Sequence, residues 1–206
     1  MTLRIWEPDA PQPSGAGKYR GALAEGYDAK REQSAKWQVE QRVVQDMLMD
    51  LQPGSIVLDV PIGTGRFLPF YAERGLECWG VDTSEDMLKL AADKAQPGQK
   101  VRLGLGDVRT LSFGSLGGQV DVAVMCRLTR WLSPEDCVTA IRRLMFLSRK
   151  RVIFTTRVSD HPHARPLALY ADVLIENHWR IARDEPGYEE PYRIVALEPI
   201  NIQTTA

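Results

Sequence analysis

The segment DVPIGTGR at residues 59–66 contains Asp59 followed by Gly63 and Gly65. Glycine adopts positive φ angles and lets the backbone approach a ligand closely. A helix that begins directly after such a loop offers free N–H groups to an anionic or nucleotide-like ligand. The pattern therefore indicates a nucleotide-like ligand, although a single GxG pair is equally typical of a plain tight turn.

Two further aspartates lie at the predicted ends of the next strands. Asp82 ends the run 77–82, and Asp107 follows the run 101–105. Ligands of open α/β sheets bind outside the carboxyl ends of the strands, so Asp59, Asp82 and Asp107 are expected to converge on one crevice. A carboxylate at the second strand end can accept both ribose hydroxyls of a nucleoside. Each aspartate alone is also typical of a helix N-cap, but the three together indicate a site.

Short apolar runs alternate with helical stretches through the middle of the chain. The alternation predicts an α/β fold with a doubly wound, mainly parallel sheet of seven strands and helices on both faces. After Thr156 the pattern changes to a helix and two strand-like runs, which we interpret as a closing antiparallel hairpin. The predicted strands cover 55–60, 77–82, 101–105, 120–126, 151–156, 179–183 and 192–197, and the predicted helices cover 65–74, 84–95, 134–148 and 165–176.

The chain before this core divides into a leader and a helix. Residues 1–21 are interpreted as a flexible leader, because proline and glycine are frequent from residue 7 onward. Apolar residues then recur at three- and four-residue intervals, which predicts a helix within 22–51 that is either a lid over the site or a solvated face. We expect one domain at 22–206, with the lid at 22–51, a ligand-binding core at 55–156 and a C-terminal helix and hairpin at 160–200.

Four motifs carry a resemblance to a known family. They are VLDVPIGTGRF at 57–67, GVDTSEDML at 80–88, GDV at 106–108 and VDVAVMCRLTRWL at 120–132. In this order and spacing they resemble the class I S-adenosylmethionine-dependent methyltransferases, over roughly residues 37–197. The resemblance implies S-adenosyl-L-methionine as the cofactor and methyl donor, and a seven-stranded sheet whose last strand is antiparallel.

The resemblance also implies roles for individual residues. Asp59 and the loop that contains Pro61, Gly63 and Gly65 would hold the amino-acid moiety of the donor, and Asp82 would bind the ribose. The remaining expectations are that Thr83 and Met87 border the adenine, that Asp107 takes the adenine amino group, that Val108 adds a backbone contact, and that Cys126 forms a small part of the wall. The usual family loop has glycine where Pro61 stands, and proline has no N–H to donate.

A nicotinamide-dependent dehydrogenase is the rival interpretation of the glycine loop. Its GxGxxG fingerprint needs a third small residue, but Leu68 occupies that position. No tyrosine of the chain has a lysine four positions later, so the proton relay of short-chain dehydrogenases is missing too. These two differences favour the methyltransferase.

The residues that would receive the methyl acceptor are less defined by the sequence. Methyl transfer depends mainly on holding a nucleophile in line with the donor, and a general base is optional. His161 follows the fifth strand directly and is a candidate base, although a solvated loop histidine is the simpler interpretation. Arg127 would pair with an anionic acceptor or with a neighbouring helix. Tyr27, on the predicted lid, would contact the donor carboxylate or the acceptor.

Composition limits the other classes of function. The 26 Lys and Arg residues balance 27 Asp and Glu residues, and the only basic cluster, at 142–151, is expected on the far side of the sheet. A small-molecule acceptor is therefore favoured over a nucleic acid or a protein, and a non-catalytic S-adenosylmethionine sensor is a further alternative. Three cysteines without a CxxC pair predict neither disulfides nor a metal site. We expect a cytoplasmic protein without a membrane segment, and the oligomeric state stays open.

Overall fold

The computed structural model describes residues 2–4, 34–159, 161–189 and 191–200. Within these residues eight strands form one sheet. The strands are β1 (Thr2–Arg4), β2 (Ile56–Asp59), β3 (Glu77–Asp82), β4 (Val101–Leu105), β5 (Val120–Met125), β6 (Ser148–Arg157), β7 (Trp179–Pro186) and β8 (Tyr192–Pro199). The helices are α1 (Ala35–Asp46), α2 (Leu68–Glu73), α3 (Glu85–Lys94), α4 (Phe113–Leu116), α5 (Pro134–Leu147) and α6 (Ala171–Glu176). Short 3-10 turns lie at Thr129–Trp131 and Leu167–Tyr170.

The order of the strands places the switch point of the sheet at β2. The order is β1-β4-β3-β2-β5-β6-β8-β7, and β2 pairs in parallel with both β3 and β5. The crossovers therefore run in opposite directions on the two sides of β2, which opens a crevice at the carboxyl ends of these strands. β8 runs antiparallel to both β6 and β7. The predicted mainly parallel sheet with a closing antiparallel hairpin is thus confirmed.

The described sheet has one strand more than the seven that the sequence predicts. β1 pairs in parallel with β4 at the edge of the sheet. These three residues fall in the range 1–21 that we interpreted as a flexible leader, so that interpretation does not hold for residues 2–4. Residues 5–21 lie outside the described residues, as do residues 22–33 of the predicted lid. The described part of the lid, residues 34–51, contains α1.

Two short helices depart from the predicted elements. α4 has four residues, too few to show a helical apolar period. Its start is fixed by a capping box between Ser112 and Ser115, and Gly117 ends it with a φ of 82°. The predicted helix at 165–176 divides into a 3-10 turn and α6, because Pro166 keeps an extended backbone before the turn.

The core consists of one apolar layer on each face of the sheet. Leu144 of α5, Phe154 of β6 and Tyr170 belong to the layer that packs α5 and α6. On the other face, Leu48 and Tyr71 belong to the layer that packs α1, α2 and α3. Helices on both faces therefore hold the strand ends in fixed positions around the crevice. None of the helices within the described ranges is long and apolar enough to cross a bilayer.

Candidate functional site

A cleft opens at the carboxyl ends of β2, β3, β5 and β6. It is lined by nine of the residues that the sequence singles out: Asp59, Pro61, Gly63, Asp82, Thr83, Met87, Cys126, Arg127 and His161. The peptide bond before Pro61 is cis. Tyr27, a further candidate, lies outside the described residues. The topology thus gathers residues that are up to about one hundred positions apart into one site, as expected for parallel strand ends.

Asp82 is held at the centre of the cleft by backbone donors. The Gly63 N–H donates to its Oδ2 atom and the Ser84 N–H donates to its Oδ1 atom, both at 2.9 Å. Gly63 reaches this position with a φ of 56°, in the left-handed region that favours glycine. Burial raises the pKa of Asp82 to about 6 against the opposing effect of the backbone donors. A carboxylate has about four lone pairs, so Asp82 can accept ligand hydroxyl groups in addition to its backbone donors.

Asp59 is a second buried carboxyl group beside Asp82. Its side chain is 2% exposed, and the Tyr71 hydroxyl donates to its Oδ2 atom at 3.2 Å. Burial raises the pKa of Asp59 to about 7, the charge of Arg66 opposes this, and the nearby Asp82 adds to it. A cation placed in the cleft would relieve the cost of ionising this group.

A third carboxylate, Glu40 on α1, connects this helix to the cleft through ion pairs. Glu40 is 1% exposed, and its Oε1 atom lies 2.6 Å from Arg66 Nη2 and 2.9 Å from Arg127 Nε. The Tyr192 hydroxyl donates to Oε2 at 2.8 Å. Burial would raise the pKa of Glu40, but the two guanidinium groups and the hydroxyl outweigh it and hold the pKa below its usual value. We call Glu40, Arg66, Arg127 and Tyr192 the Glu40 cluster.

The Glu40 cluster leaves two guanidinium nitrogens without a hydrogen-bond partner among the described residues, and we call them the open nitrogens. Arg66 and Arg127 stack on the ring of Trp37, with their Cζ atoms 4.1 and 4.8 Å from its centroid. Arg66 Nη1 and Arg127 Nη2 are buried, and neither has a hydrogen-bond partner among the described residues. Buried donors are normally paired, so these two nitrogens fit a ligand carboxylate, the anion that a guanidinium binds best.

Sequence reasoning missed the Glu40 cluster because its pairs join distant segments. One signal was present: Glu40 lies three residues after Trp37 and four before Val44, on the face of α1 that is buried. A carboxylate on a buried stripe is rarely found without a partner. Arg127 itself is an unusual residue, with a φ of 61° and its backbone N–H donated to Thr155 Oγ1 at 2.7 Å.

Three predicted cofactor residues do not line the cleft, so their roles toward the cofactor stay predictions. Asp107 is ion-paired with Arg109, whose Nη2 atom lies 2.7 Å from its Oδ2 atom, so its carboxylate faces that side chain and not the cleft. Val108 is buried in the core. Gly65 has a φ of 75°, and a Cβ atom there would lie 2.6 Å from Leu68 Cδ1. Its role is therefore to let the loop pass closely over α2.

His161 lines the cleft and is exposed. The backbone N–H of His163 donates to His161 Nδ1 at 3.1 Å, so the proton of the neutral ring is on Nε2. Partial desolvation and the charges of Arg157, His163 and Arg130 lower the pKa of His161. The neutral ring thus carries an N–H donor on Nε2, and the role of His161 as a base stays a prediction.

Comparisons with known proteins agree with this geometry. Residues 57–150 match a family model described as a methyltransferase domain. YqeM of Bacillus subtilis (strain 168), a protein named as a methyltransferase, is 36% identical over 70 residues, which are 34% of this chain and 28% of that protein. The chain therefore matches little more than a quarter of the length of that relative.

Solved structures share the fold at low sequence identity. Magnesium protoporphyrin IX methyltransferase of Synechocystis PCC 6803 with bound S-adenosylmethionine has a TM-score of 0.73 and 17% identity, over 94% of this chain and 100% of that chain. An S-adenosylmethionine-dependent methyltransferase of Leishmania major has a TM-score of 0.70 and 16% identity, over 96% and 87%. With its strand order and its cleft at the switch point, the chain has the fold of the class I S-adenosylmethionine-dependent methyltransferases, and residues 57–150 match a methyltransferase domain.

Proposed function

We propose that the protein transfers a methyl group from S-adenosylmethionine to an oxygen or nitrogen atom of a small-molecule acceptor. The observation that carries this proposal is the set of charged side chains at the cleft, which can each bind a different group of the donor. Asp82 can accept the ribose hydroxyls, Asp59 can face the ammonium group, and the open nitrogens of Arg66 and Arg127 can bind the carboxylate. Thr83 and Met87 also line the cleft and would border the adenine.

The chain itself contributes to the reaction by positioning the donor and the acceptor and by excluding water. The donor supplies a methyl group activated on a positively charged sulfur. A lone pair of the acceptor forms the new bond to the methyl carbon as the carbon–sulfur bond breaks, and the released electron pair neutralises the sulfur. Trp37, Phe67 and Trp131 line the cleft with aromatic surface that keeps water away from this exchange. An acceptor hydroxyl would in addition release its proton to solvent as the bond forms, whereas an ammonium group would release a proton to solvent first, because only the neutral amine has a lone pair.

Two observations support a small acceptor. The cleft holds about 240 Å³, which is slightly below the range of roughly 300–1,000 Å³ that small-molecule sites occupy. The basic cluster at 142–151 begins in α5 and ends in the first half of β6, at the opposite end of the strands from the cleft. Three of its cations are ion-paired: Arg142 with Glu176, Lys150 with Asp121, and Arg151 with Asp50 and Glu198. We also propose a reducing compartment such as the cytoplasm, since all three cysteines are free.

Radiolabelled methyl transfer tests the function. The protein is incubated with S-adenosylmethionine carrying a labelled methyl group and with metabolite, RNA, DNA and protein fractions of a cell extract. We expect label in the metabolite fraction only. Label in RNA, DNA or protein would instead support a macromolecular acceptor. Binding of the donor without label in any fraction would support a sensor, and absence of binding would contradict the whole proposal.

The affinity for S-adenosylhomocysteine is expected to rise as the pH increases through the pKa values of the two cleft carboxyls. Both groups act on the ligand in their ionised form, yet in the free protein the pKa of Asp82 is about 6 and that of Asp59 is about 7. Binding therefore releases protons, and below its pKa each carboxyl reduces the affinity by up to about tenfold per pH unit.

Calorimetry in buffers of different ionisation enthalpy measures both the affinity and the proton release. The Asp59→Asn variant is the control, because it should lose the step near the higher pKa and keep the one near the lower. A constant affinity of the wild-type protein from about pH 5 to about pH 7.5 would contradict the prediction.

A further inference from the structure

The mouth of the cleft carries positive and hydrogen-bond-donating groups that the donor does not need. Arg130, Arg157, His161 and His163 line the cleft together with Trp131. They come from the 3-10 turn Thr129–Trp131, from the end of β6 and from the loop after it. The charges of Arg130 and Arg157 both act on His161, so the three side chains lie within electrostatic range of one another. We call Arg130, Arg157 and His161 the mouth triad.

Neither arginine of the mouth triad forms an ion pair with a described residue, although the charge of Arg157 acts on Glu189. Arg130 places its Cζ atom 5.0 Å from the centroid of the Trp131 ring, and Arg157 Nε is buried without a hydrogen-bond partner in the described ranges. Nearby Glu189 is bonded to Lys36 at 2.6 Å and does not line the cleft. Arg66 and Arg127 differ, because both are ion-paired with Glu40.

The acids of the cleft lie at its other end. Among the described lining residues only Asp59 and Asp82 are acidic, and both belong to the strand ends β2 and β3 that face the donor. The mouth triad therefore offers donors alone: two guanidinium groups and the Nε2–H of a histidine whose Nδ1 is occupied. Such a set recognises an anion with several oxygen atoms, and planar guanidinium groups favour carboxylate and phosphate.

We propose that the methyl acceptor carries a carboxylate or phosphate group, which Arg130, Arg157 and His161 bind at the mouth of the cleft. This inference rests on the proposed methyltransferase function and adds the substrate class. The bound anion orients the rest of the acceptor inward, toward Cys126 and the aromatic walls, where its nucleophilic atom meets the methyl group. If the carboxylate itself is the nucleophile, the new carbon–oxygen bond forms while the electron pair of the carbon–sulfur bond goes to sulfur, and no proton needs to leave.

Calorimetry on the S-adenosylhomocysteine complex tests the subsite with defined probes. Benzoate, phenyl phosphate and the uncharged benzamide are titrated into the wild-type complex and into complexes of Arg130→Gln, Arg157→Gln and the exposed control Arg142→Gln. We expect benzoate or phenyl phosphate, but not benzamide, to bind, and each mouth variant to weaken that binding by about 10- to 100-fold. The control should bind as the wild type does. Whichever probe binds more tightly identifies carboxylate or phosphate as the preferred group.

A second experiment uses the natural acceptor. A metabolite extract is separated on an anion exchanger before labelling, and methyl-accepting activity is expected in the retained fraction. For that fraction, Arg130→Gln and Arg157→Gln should raise KM and leave the affinity for S-adenosylhomocysteine and the melting temperature unchanged. Activity only in the unretained fraction, or an unchanged KM in both variants, would overturn the anionic acceptor while the methyltransferase function stands. Absence of label in every fraction would overturn the function and this inference with it.

Discussion

Asp82→Ala is expected to lower the affinity for S-adenosylhomocysteine by at least about 100-fold. In the proposed binding mode the change removes two charge-assisted hydrogen bonds to the ribose, each worth about 1.5–3 kcal/mol, and this sum corresponds to two or more orders of magnitude in Kd. It also frees the N–H groups of Gly63 and Ser84, which the carboxylate holds at 2.9 Å. The glycine loop then loses the contact that fixes it against β3.

Calorimetry measures this loss, and two variants make it specific. Asp82→Asn keeps the size of the side chain and one acceptor oxygen, so we expect an intermediate affinity. Asp93→Ala, on the exposed face of α3, should bind as the wild type does. If Asp82→Ala folds and binds S-adenosylhomocysteine with unchanged affinity, the donor does not lie where we propose.

Glu40→Ala should cause the largest loss of stability. It leaves the guanidinium groups of Arg66 and Arg127 beneath the protein surface without the carboxylate that neutralises them. Removal of one partner of a buried ion pair costs about 3–5 kcal/mol of unfolding free energy. For a chain of this size we expect the melting temperature to fall by roughly 10 °C, which differential scanning calorimetry measures. Donor affinity should fall as well, because the two guanidinium groups lose their fixed positions.

Further variants separate the charge of the Glu40 cluster from its shape. Glu40→Gln keeps an acceptor oxygen without the charge and should lie between the wild type and Glu40→Ala. The triple variant Glu40→Leu, Arg66→Met, Arg127→Met removes all three charges, so it should recover most of the stability but not the donor affinity. A triple variant that binds S-adenosylhomocysteine normally would exclude the proposed role of the two open nitrogens.

The pH dependence of stability gives an independent check on Glu40. Its pKa is lowered in the folded protein, so its contribution is present above the ordinary value of 4.5 and is lost as the pH falls through the lowered value. In Glu40→Ala the unfolding free energy should therefore depend less on pH below about 4.5 than in the wild type. An identical acid dependence of the two proteins would show that the carboxylate is not ionised in the fold.

The sequence predicts those parts of the fold and site that depend on local pattern. Apolar runs identify the core strands, and the ends of parallel strands must meet, so the positions of Asp59 and Asp82 in the chain are enough to predict that they share one crevice. Pairs between distant segments leave no such pattern. Glu40 and Arg127 are 87 residues apart in the chain, and only the packing of α1 on the sheet brings them together.

Two other differences between the sequence-based predictions and the structure have local causes. Asp107 stands at the expected strand end, but Arg109 folds back on its carboxylate and also pairs with Asp136 at 2.9 Å. A charge two residues away thus gives this acid a partner within the protein, which the position of the acid in the sequence did not predict. β1 has three residues, which is too short for an apolar alternation to be seen, and its pairing with β4 depends on the exposed edge of the sheet.

A protein that binds a reactive methyl donor must not methylate its own side chains, and Cys126 is a side chain at risk. A thiolate beside a sulfonium would itself be methylated, and the protein would inactivate itself. Burial raises the pKa of the Cys126 thiol far above its ordinary value, and the negative charges of Glu40 and Asp59 add to the shift although Arg66 and Arg127 oppose it. Burial, with a smaller addition from the two carboxylates, thus keeps this sulfur protonated. The Cys126 thiol is in this way protected from methylation by the proposed donor.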